Sequence, residues 1–130
     1  NLEIANKELF TTTCPGKINY EIFVNKLYEA VSIFGKGNVR SNFVLGLQDF
    51  SELLNECNKS AENGIVTDYS VFQPKENTPY SNLKAPEMRD VINFTNELVK
   101  IYLKYNQHPI FCSLSSRSSI VNEVYNDNDK

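Results

Sequence analysis

Hydrophobic and polar positions alternate along this chain between helical and strand periods. Phe23, Leu27, Ala30, Val31 and Phe34 recur at helical spacing, which predicts an amphipathic helix from Asn19 that stops at Gly35. Val39-Arg40-Ser41-Asn42-Phe43-Val44-Leu45 follows a Gly-Lys-Gly turn and becomes continuously apolar, as a strand covered on both faces would. Gly46 closes that run, and Asp49 caps a second helix carrying Phe50, Leu53, Leu54, Cys57 and Ala61 up to Asn63-Gly64. A second strand is expected over 65–72, ending at Gln73-Pro74, and a long loop over 75–85. Pro86 is expected to open the longest helix, whose buried stripe reads Met88, Val91, Ile92, Thr95, Leu98, Val99 and Tyr102. A shorter third strand is expected over 109–114, then a last helical turn over 120–125.

The N-terminal stretch is less regular. Leu2-Glu3-Ile4-Ala5 alternates like the end of a strand, residues 6–10 read as one helical turn, and residues 11–16 have turn composition. The whole pattern is αβαβαβ, which places sequential parallel strands side by side with right-handed crossovers. One domain over 1–125 and a polar tail over 126–130 account for the 130 residues. A closed (β/α) barrel needs roughly 250 residues. The expected architecture is therefore α/β, a partial (β/α) TIM-type barrel of three to four parallel strands with covering helices. Its exposed strand edges would invite pairing with a missing N-terminal half-barrel or with a second copy.

Charge and cysteine usage narrow the chemistry. A net charge of −3 gives no electrostatic reason to expect nucleic acid. Apolar runs of only a few residues predict no membrane span. Cys14, Cys57 and Cys112 are scattered and odd in number, so a disulfide framework is not expected and a reducing cytoplasmic setting is the default. Cys57 lies on an apolar stripe and reads as a core residue. His108 precedes a strand and reads as structural or exposed. No glycine-rich phosphate loop, zinc-protease helix or nucleophile elbow is present.

Ligands of parallel sheets bind at the C-terminal ends of the strands, which points to Gly46, to residues 72–78 and to Glu3 and Asn6. Gly46 would let a planar group approach the backbone, with Val44 and Phe72 as apolar walls. An adenine-like base suits such a slot, as do other heteroaromatics. Asp49 reads first as a helix cap.

At these positions the chain resembles the C-terminal half of radical S-adenosylmethionine enzymes, in particular the biotin-synthase-like branch. Their GxIxGxxE motif is matched by Asn42-x-Val44-x-Gly46-x-x-Asp49, with asparagine for the first glycine and aspartate for the glutamate. Their FxPxPGTPL loop is matched by Phe72-Gln73-Pro74-Lys75-Glu76-Asn77-Thr78-Pro79-Tyr80. The opening residues resemble the end of the fourth strand, where a polar side chain meets the ribose.

The resemblance implies that Glu3, Asn6, Asn42, Val44, Gly46, Asp49, Phe72 and Pro74 form the adenine and ribose side of an S-adenosylmethionine pocket. The full protein would use a [4Fe-4S] cluster to make a 5′-deoxyadenosyl radical that acts on a small-molecule or peptide substrate. The CxxxCxxC loop that holds the cluster does not occur in this chain, so the cluster would be bound by the missing N-terminal half and the chain alone is expected to be inactive. Two other readings stay open. One is a non-catalytic α/β module that self-associates through exposed strand edges. The other is an enzyme on a different (β/α) scaffold, disfavoured because no lysine sits convincingly at a strand end.

Overall fold

A computed structural model describes residues 1–110 and 119–128. Asn6 caps the first helix, α1 (Lys7–Thr13), its side-chain oxygen accepting the Leu9 amide at 3.0 Å. Asn19 does the same for α2 (Tyr20–Phe34), which ends at Gly35 with φ +88°. Strand β1 (Val39–Leu45) leads through α3 (Phe50–Glu62) to β2 (Ile65–Val71), and the two strands pair in parallel from Val39 opposite Ile65 to Leu45 opposite Val71. Then come α4 (Met88–Lys104) and α5 (Ser119–Asn128).

The expected partial barrel is not formed. Among the described residues the sheet has two strands, not three or four, and these are accompanied by five helices. The N-terminal segment contributes a single parallel bridge, Glu3 with Phe43, in which the Glu3 amide donates to the Asn42 carbonyl at 2.9 Å. Glu3 adopts φ +70°, which turns the chain off the ladder, and Asn6 starts a helix three residues later. Pro109 and Ile110 are not in a strand, and the rest of the expected third strand lies outside the described residues.

One sheet face carries the core. Phe43, Leu45, Thr67 and Tyr69 are buried there under α3 and α4. Tyr69 meets Phe94 edge-on at 5.6 Å and shares a 2.6 Å hydrogen bond with Thr95. The Tyr102 hydroxyl donates to the Thr67 carbonyl, and α5 adds Val121 and Tyr125 to the same core. On the opposite face Arg40 is exposed and Asn42, Val44, Asp68 and Ser70 are only half-buried, although Val66 is buried. Helix α2 packs through Tyr20 and Phe23 around Phe10 and has no fully buried residue.

Several element boundaries differ from expectation. The first helix runs on through Thr13 because Cys14 still donates its amide back to the Phe10 carbonyl, leaving the turn to start at Cys14. Pro86 lies just before the N-cap Glu87 and is not the first helical residue. No helix among the described residues is long and apolar enough to cross a membrane.

Candidate functional site

The C-terminal ends of β1 and β2 meet at Gly46 and Phe72. The Phe72 amide donates to the Leu45 carbonyl at 2.8 Å, which carries the ladder one step past β2. Gly46 has φ +102°, a conformation that needs glycine. A Cβ placed there would sit 2.8 Å from Cδ of Pro86 and 3.4 Å from Cβ of Phe72. The space expected to admit a planar ligand against Gly46 is thus taken by Pro86. Residues 72–87 form a strap between β2 and α4, and Pro86 brings its end back onto the sheet.

Asn42 and Val44 lie on the half-open sheet face. The Asn42 amide group donates to Oγ of Ser70 at 3.2 Å and to the Phe43 carbonyl at 3.0 Å, so its side chain braces the two strands against each other. Phe72 follows Asp68 and Ser70 in strand alternation and is half-buried. Val44, Gly46 and Phe72 are therefore the sequence-predicted residues that the fold brings together at one edge.

The remaining candidates are held by structural bonds. Glu3 forms an ion pair with Lys17 at 2.9 Å, and Sγ of Cys14 lies 3.8 Å from its other carboxylate oxygen. Burial, and then the Glu3 carboxylate, push the Cys14 thiol pKa up. Asn6 is spent on capping α1. Asp49 caps α3, accepting from the Ser51 hydroxyl, the Ser51 amide at 2.8 Å and the Glu52 amide at 3.1 Å. Those bonds, the Ser51 hydroxyl first, hold its carboxyl below the usual range. Asn6 and Asp49 do share an open depression with Gln48 and Glu52. Pro74 is exposed on the strap.

Three residues missed by sequence reasoning organise this edge. Pro86 fills the space over Gly46. The Gln48 side chain accepts the Ala5 amide at 2.7 Å, tying the N-terminal segment to the loop after β1, while its buried Nε2 has no hydrogen-bond partner among the described residues. Tyr80, at the tip of the strap, shares a 3.0 Å hydrogen bond with Thr13 of α1. Turn residues mark the strap as a loop, but nothing local announces a partner so distant in sequence.

Cys57 is a core residue as expected, 1% exposed, with its thiol pKa pushed up to about 12 by burial. A thiol held that way is a poor thiolate, and with Cys14 in a separate carboxylate-lysine cluster the described cysteines do not fit an iron-sulfur ligand set. His108 is exposed, its Nδ1 2.8 Å from the Tyr125 hydroxyl. No family model, curated protein or solved structure matches this chain.

Proposed function

We propose that the chain is part of a cytoplasmic radical S-adenosylmethionine enzyme and supplies the adenine and ribose side of its S-adenosylmethionine pocket. The observation that carries this reading is the grouping of Val44, Gly46 and Phe72 at one C-terminal sheet edge. The same residues carry the resemblance. Val44 and Phe72 provide half-open apolar surface for a base, and the polar Asn42 is held beside them by its bonds to Ser70 and Phe43. With Pro86 seated on Gly46, the base would lie against the Val44 side of the edge and not over the glycine.

The [4Fe-4S] cluster belongs to a part of the enzyme outside this chain. When bound there, the reduced cluster would supply the one electron that breaks the S–C5′ bond of S-adenosylmethionine and releases methionine. Here the residues bind and orient the nucleoside and exclude water from its base.

Isothermal titration calorimetry with 5′-deoxyadenosine tests the binding role without any radical chemistry. Wild-type chain is expected to give a saturable isotherm, and Val44→Glu, which places a carboxylate on the half-open face, is expected to abolish it while the protein stays folded. Equal binding by the variant, or no binding by the wild type, would overturn the reading.

A further inference from the structure

The strap over 72–87 is long for a loop without helix or strand, and loops of that kind are commonly lids or binding segments. Its path follows from two contacts. It leaves the end of β2, and its tip reaches α1, where the Tyr80 hydroxyl meets Oγ1 of Thr13 at 3.0 Å. Glu3 pairs with β1 on the edge away from β2, and α1 follows it directly, so the tip has crossed the C-terminal end of β1. The strap then returns to the sheet, where Pro86 packs on the bare Gly46 backbone.

Between these two points it is pre-shaped. Ser81 donates its amide to the Thr78 carbonyl and Leu83 to that of Tyr80, both at 3.1 Å, and the Thr78 hydroxyl bonds the Lys75 carbonyl at 2.7 Å. Asn77 takes the left-handed conformation, φ +59°, that the first turn requires. Most side chains between Gln73 and Ala85 are exposed, Tyr80 being half-buried. A segment with its own turns and little buried surface can move as one piece when its tip is released.

We propose that residues 72–87 form a hinged strap over the C-terminal edge of the sheet, latched at its tip by the Tyr80–Thr13 hydrogen bond and seated at its base by Pro86 on Gly46. Lifting the tip uncovers the ends of both strands without unfolding either. The proposal stands on the strap's own contacts and holds whatever ligand the edge takes, so it can fail separately from the nucleoside reading.

Limited trypsin digestion of the full chain, read by intact mass, tests the latch, because Lys75 and Lys84 flank Tyr80 within the strap. Tyr80→Phe and Thr13→Val should each speed cleavage at these two lysines roughly three- to tenfold, as loss of one neutral hydrogen bond allows. The double variant should be no faster than either single one, and Thr13→Ser, which keeps a hydroxyl, should cleave at the wild-type rate. Cleavage at Lys100 in α4 should not change. Unchanged rates at the strap, effects that add in the double variant, loss of protection in Thr13→Ser, or equal acceleration at Lys100 would each overturn the latch.

Discussion

At Gly46 a single missing carbon lets Pro86 come within 2.8 Å of where a Cβ would stand, on a backbone at φ +102°. Gly46→Ala therefore meets both a left-handed penalty and a clash with the proline ring, and should lower unfolding free energy by about 1–2 kcal/mol in a urea titration. Gly16 is the matched control, since no atom of the described residues lies within 4 Å of its added Cβ and its φ is not left-handed, so Gly16→Ala should leave stability nearly unchanged. Glu56 offers a pH test. Burial holds its carboxyl above the ordinary value of 4.5, against the pull of Lys59, so the fold favours the neutral acid. That preference is fully present below the unfolded value and is lost as pH rises through the folded one. Glu56→Gln should accordingly raise the thermal midpoint at pH 7, with the gain fading as the pH is brought below 4.5. A gain that persists unchanged in acid would point to packing instead of charge.

The helices show how far periodicity carries. In α3 the expected stripe is the one observed, with Leu53, Cys57 and Ala61 buried and Asp49 capping the start. In α4 Val91, Thr95, Leu98, Val99 and Tyr102 are buried as the pattern predicts, but Met88 and Ile92 of the same stripe are 63% and 43% exposed, while Phe94 is buried. The reason is aromatic packing, for Phe94 stands edge-on to both Phe50 at 5.5 Å and Tyr69 at 5.6 Å. Those partners come from the preceding helix and from β2, so no window of sequence around α4 contains them. Phe94→Ala should cost about 3–5 kcal/mol in unfolding free energy. Met88→Ala should stay within about 0.5 kcal/mol of wild type. A large loss at Met88 would mean that its side of α4 is covered in solution.

For the molecule as a whole, the βαβ unit, its parallel order and its glycine punctuation at Gly35, Gly46 and Gly64 were legible because each rests on local chemistry. The barrel was not, because it rested on a third strand over 109–114, of which the described Pro109 and Ile110 are not in a strand, and on a further strand at Leu2 to Ala5, where the left-handed Glu3 ends the pairing after one residue. The candidate site was legible in the same uneven way. Val44, Gly46 and Phe72 share an edge because strand alternation and register dictate it. Asn6, Asp49 and Glu3 have the polar groups a ligand would want, yet two helix N-termini and Lys17 already hold them. Such commitments depend on long-range placement, as does the Tyr80–Thr13 pair that ties the strap to α1.

The central claim is that this edge receives a nucleoside, and amide chemical-shift mapping of nitrogen-15-labelled chain tests it most directly. On addition of 5′-deoxyadenosine or S-adenosylmethionine, the account predicts shifts concentrated in residues 44–49 and 72–78, with α5 and the outer turns of α4 unmoved. Shifts centred on other elements, or an unchanged spectrum at saturating nucleoside, would contradict it.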